Sequence, residues 1–124
     1  MTIPIENWGK DHWSTFAYVE TLAVEHKGIA IPEPCRMRTN NGKHGYMGNP
    51  IGGNKYPTIL KNNDVVLGHD DWDCLDDMLK NELLVDIGTD LYRSFKLTEK
   101  GRRVANLLRE HKAGGGTFNN FSLM

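Results

Sequence analysis

The chain predicts an α+β domain, and three observations carry that prediction. An amphipathic segment over 71–83 leads into two period-two stretches within 85–97, and a second amphipathic segment over 98–112 follows directly. An earlier apolar stripe, near 12–26, supplies a helix on which the later elements can pack. With 124 residues, 39% hydrophobic and 25% charged, the chain is long enough to build one core without covalent staples. Residues 1–113 therefore read as a single domain, and 114–124 as a flexible glycine joint carrying an apolar tail.

The first helix takes Asp11 or Ser14 as its cap. Trp13, Phe16, Val19, Leu22 and Ala23 form its buried stripe, and Gly28 ends it. From 29 to 57 the composition changes to Pro32, Pro34, Pro50 and Pro57 among repeated glycines and asparagines, the residues of turns and irregular structure. At most a short helix fits there, around 33–38. Thr58-Ile59-Leu60 and Val65-Val66-Leu67 flank Lys61-Asn62-Asn63-Asp64, which has the residue types of a hairpin turn.

Asp70 or Asp71 caps the helix over 71–83. Trp72, Leu75, Met78, Leu79 and Leu83 form its apolar side, and Asp73, Asp76, Asp77 and Lys80 are read as its free face. Val85-Asp86-Ile87 and 91–97 then form a hairpin about Gly88-Thr89-Asp90. Thr98 caps the last helix, Gly101 permits close approach to the sheet, and Val104, Ala105, Leu107 and Leu108 face inward.

The run Leu97-Thr98-Glu99-Lys100-Gly101, placed after a helix and a hairpin, resembles the C-terminal half of winged-helix regulators of the MarR and PadR type. The resemblance covers about a third of the chain and implies a winged-helix-like domain with an elaborated Gly/Asn/Pro-rich middle segment. Two features differ from that pattern. Residues 29–70 replace a compact helix-turn-helix entry, and the helix in the groove-reading position is acidic. In style the whole chain is also similar to small bacteriophage or prophage proteins.

Charge is strongly segregated beneath a net value of −1. Arg36, Arg38, Lys43, Lys55 and Lys61 are unopposed by any acid between 34 and 63, and seven bases between 93 and 112 face only Glu99 and Glu110. Between these basic stretches, 70–82 holds six acids and the single base Lys80. Such fields steer partners even when the total cancels. The favoured expectation is a non-enzymatic module, such as a regulator or accessory of a nucleoprotein assembly. It would contact nucleic acid through Arg36, Arg38, Lys43, Tyr46, Lys55, Tyr56, Lys100 and Arg103, the cations tracking phosphates while the tyrosines stack on bases. The alternative is a protein-binding inhibitor or adaptor that offers Asp73, Asp76 and Asp77 to a basic partner.

Other chemistry finds less in the sequence. Cys35, His44, His69 and Cys74 lack the close paired spacing of zinc fingers and ribbons, so neither metal nor cofactor is expected. Asp70, Asp71 and Asp73 beside His69 could hold Mg²⁺ or Mn²⁺ in a nuclease site, but helix N-termini favour aspartate without any metal. Ser14, Ser94 and Ser122 lie in no nucleophile-elbow pattern, and Gly48, Gly52 and Gly53 in no phosphate-binding fingerprint. No apolar run reaches the roughly 20 residues of a membrane span. With only two cysteines and no signal-like N-terminus, a cytoplasmic location is expected. The tail, with Phe118 and Phe121, either folds back over its own core or docks on a neighbouring subunit, giving a homo-oligomer.

Overall fold

The computed structural model describes residues 2–32, 37, 58–89 and 93–122. Helices α1 (Lys10–Glu25), α2 (Asp71–Lys80) and α3 (Glu99–Ala113) are joined by five short strands: β1 (Ile29–Ala30), β2 (Thr58–Ile59), β3 (Val65–Val66), β4 (Leu84–Asp86) and β5 (Phe95–Leu97). The strands form two antiparallel sheets, one in the order β1-β5-β4 and the other a β2-β3 hairpin. The α+β expectation thus describes the molecule at the level of its elements.

Local chemistry explains each boundary. Helix α1 starts from Gly9, whose position admits no side chain because a Cβ there would lie 2.4 Å from the carbonyl carbon of Leu60. Neither Asp11 nor Ser14 acts as the cap, because the Asp11 carboxylate is turned inward to accept the Ile59 amide. The helix ends at His26, and Lys27 and Gly28 both take positive φ while the Gly28 amide returns to the Ala23 carbonyl. Asn62 and Asn63, also at positive φ, turn the chain between β2 and β3, with Thr58 opposite Val66 and Ile59 opposite Val65.

Helix α2 opens with a reciprocal capping box: the Asp73 amide donates to Asp70 Oδ1, and the Asp70 amide donates to Asp73 Oδ2. Thr98 caps α3 by accepting from the Gly101 amide. Gly101 lies against the chain entering β4, where a Cβ would come within 2.1 Å of the Leu83 carbonyl oxygen. Trp13, Phe16 and Val19 of α1, Leu75 and Met78 of α2, and Phe95 of β5 are the centre of the core. Phe121 joins it, packed edge-on to Trp13 with ring centroids 4.7 Å apart, so the tail is docked within its own chain. No described helix is long and apolar enough to cross a membrane.

Candidate functional site: a buried histidine, aspartate and cysteine cluster

Helix α2 has two buried sides. Trp72, Leu75 and Met78 meet the apolar core, whereas Asp71, Cys74 and Asp77, spaced three residues apart, face α1 and the end of the β2-β3 hairpin. This second side corrects the reading of Asp77 as part of a free acidic face. Asp77 is 2% exposed, and its carboxylate is the hub of a polar cluster.

Three chain segments donate to it. His12 Nε2, from the first turn of α1, lies 2.7 Å from Asp77 Oδ2, and His69 Nε2, just before α2, lies 2.8 Å from the same oxygen. The Ile3 amide donates to Oδ1 at 3.1 Å. Burial alone would push the Asp77 carboxyl upward. The hydrogen bonds from His12, His69 and Ile3 outweigh it and hold the pKa below the ordinary carboxylate value. For His12 the balance is opposite, because burial outweighs the attraction of Asp77 and favours the neutral ring. An ionised carboxylate thus accepts from Nε2 of each ring, which leaves the lone pair of a neutral imidazole on Nδ1.

The surroundings complete the cluster. Trp8 stacks on the His12 ring at 4.9 Å and 15°, and its indole N–H donates to the Ile3 carbonyl. The Thr58 hydroxyl donates to the His69 carbonyl at 2.6 Å and lies 3.1 Å from His69 Nδ1. Cys74 Sγ, fully buried, lies 3.8 Å from the same Nδ1. Its thiol is pushed well above the ordinary range, first by burial and then by Asp71 and Asp77. His12 Nδ1 has no hydrogen-bond partner among the described residues.

The remaining acids of α2 have structural employment. Asp70 and Asp73 form the capping box, Asp71 lies 3.5 Å from the Thr15 hydroxyl, and Asp76 pairs with Arg93 at 3.2 Å. The set Asp73, Asp76 and Asp77 is therefore not one solvent-facing surface. Among the predicted cations, Arg103 is exposed beside Arg102 on α3, and Lys100 is half-buried with its ammonium donating to the Asn81 carbonyl. Arg36, Arg38, Lys43, Tyr46, Lys55 and Tyr56 lie outside the described residues, as do Cys35 and His44.

Reading the sequence missed His12, Thr58 and Asp77 as members of one site. The available signal was the pair Asp11-His12 followed by Thr15, a polar patch at helical spacing at the start of an otherwise apolar helix. No family model, curated protein or solved structure matches this chain.

Proposed function

We propose that this protein is a non-enzymatic nucleic-acid-binding module of winged-helix type, in which the last helix and its approach from the sheet, rather than α2, supply the contacts. The observation that carries the reading is the sheet order. The strand after α1 pairs with the second strand of the hairpin that follows α2, which is the connectivity a winged helix requires. Lys96 is exposed on β5, and Arg102 and Arg103 are exposed in the first turns of α3. Cations so placed suit a phosphate backbone.

Helix α2 fits groove reading poorly. His12, His69 and the Ile3 amide meet one of its sides and the apolar core the other, and its remaining strip carries the half-buried Asp73 and Asp76 and the exposed Lys80. Arg36, Arg38, Lys43, Tyr46, Lys55 and Tyr56 belong to the same proposal through their charge and ring chemistry.

Fluorescence anisotropy of labelled duplex and single-stranded DNA and RNA, at low and moderate salt with EDTA present, tests the reading. The expected result is binding that weakens steeply with salt. Replacing Arg102 and Arg103 together by Ala should lower affinity for all sequences alike and reduce the salt slope by about 2. Absence of binding at low salt would overturn the proposal.

A further inference from the structure

We propose that His12, His69 and Cys74 bind a divalent transition metal of the zinc class, with Asp77 as the carboxylate that orients both imidazoles. Ligand atoms of the three side chains all lie within 4.8 Å of one another, and all three residues are buried. A tetrahedral ion with bonds of about 2.0 Å to nitrogen and 2.3 Å to sulfur needs donors roughly 3.3–3.5 Å apart. Cys74 Sγ and His69 Nδ1, at 3.8 Å, stand a few tenths of an ångström wider than that spacing. Binding therefore requires the three side chains to draw together around the ion.

The second observation concerns the hydrogen bonds behind these donors. Metal-binding histidines characteristically donate their other ring N–H to a carboxylate, which fixes the tautomer and raises the basicity of the ligating nitrogen. Asp77 does this for two rings at once, through Nε2 of His12 and Nε2 of His69. The two Nδ1 atoms differ in what meets them. His12 Nδ1 has no partner among the described residues. His69 Nδ1 is met by the Cys74 thiol at 3.8 Å and by the Thr58 hydroxyl at 3.1 Å, whose proton has a closer acceptor in the His69 carbonyl at 2.6 Å.

The alternative is a polar network that serves packing alone. That network leaves a buried imidazole nitrogen without a partner among the described residues, a situation that costs about 1–3 kcal/mol. Two nitrogens and one sulfur form a donor set suited to zinc or cobalt and unsuited to Mg²⁺ or Ca²⁺. Three protein donors occupy three corners of a tetrahedron and leave the fourth open. Binding breaks the Cys74 S–H bond, forms a metal–sulfur bond and releases that proton to solvent, while each imidazole binds through a ring-nitrogen lone pair. The inference is independent of whether the protein binds nucleic acid.

The test uses the full chain, stripped with EDTA under reducing conditions and titrated with Co²⁺ alone. The expected result is uptake of about one equivalent, with visible bands of tetrahedral cobalt, a thiolate-to-cobalt charge-transfer band in the near ultraviolet, and loss of both on adding Zn²⁺. The chain has only two cysteines, so two variants assign the band. Cys35→Ser should keep it and Cys74→Ser should lose it. The first variant alone keeps the assignment testable if the second does not fold. Asp77→Asn should weaken cobalt binding by about 10–100-fold. Absence of tetrahedral bands in the unmodified chain, or loss of the charge-transfer band in Cys35→Ser, would overturn the site.

Discussion

Helix α1 packs against α2 and α3 through two different kinds of interface. Toward α2 it presents Asp11, His12 and Thr15, all buried and met by polar groups. Toward α3 it presents an apolar groove lined by Ala23 of α1 and Ala105 of α3, spanned by the ion pair between the exposed Arg109 and the buried Glu20. The first interface is directional, because buried polar groups must be matched with hydrogen-bond partners. The second rests on area, which is non-directional and tolerates rearrangement. The difference teaches where this fold is specified and where it is merely held together.

Breaking the polar interface should have the largest effect. Asp77→Ala would leave two buried imidazoles and the Ile3 amide without their acceptor, and should cost about 3–5 kcal/mol. Urea denaturation would measure it, and a loss under about 1 kcal/mol would show that the cluster contributes little beyond filling space.

Acid should erode the same interface in two stages in the metal-free chain. The folded pKa of His12 lies below its ordinary 6.5, so below that pH the unfolded chain binds a proton that the folded chain refuses, and stability falls. The folded pKa of Asp77 lies below its ordinary 3.8, so its contribution is present above that value and is lost as pH falls through the folded pKa. Melting temperature against pH, in EDTA, should decline in both windows, and the lower one should vanish in Asp77→Asn.

Smaller effects belong to the apolar and exposed contacts. Phe121→Leu retains most of the buried area but removes the edge-on pairing with Trp13, and should cost about 1 kcal/mol by the same denaturation. Glu20→Gln breaks the ion pair, in which Arg109 is more than half exposed, and should change stability by less than about 1 kcal/mol, diminishing further in high salt. A larger loss there than in Asp77→Ala would reverse the contrast between the two sides of α1.

Periodicity and turn chemistry were enough to place all three helices and both hairpin regions, because those signals are local. The Asp70 cap, the Thr98 cap and the close approach at Gly101 were legible for the same reason. Asp77 was not. On a helical wheel an aspartate beside Asp73 and Asp76 reads as solvated, and the groups that draw it inward are 8 and 65 residues away. Asp11 misled in the same way, since an acid near a helix start looks like a cap until its distant donor, the Ile59 amide, is known. Local pattern identifies where a charge sits on its helix. It does not reveal a buried complement contributed by another segment.

The contact between Phe121 and Trp13 has a kinetic consequence. Together with the Ile3 amide on Asp77, it couples segments far apart in the chain, so the core cannot close by zipping neighbouring pieces together. Contacts of this separation require loop closure before they return any stabilisation, and domains dominated by them fold toward the slow end of the two-state range. Until residue 121 arrives, the ring of Trp13 lacks its final cover. Refolding should therefore report two environments for the Trp13 indole, an early one shared with Phe16 and a late one completed by Phe121.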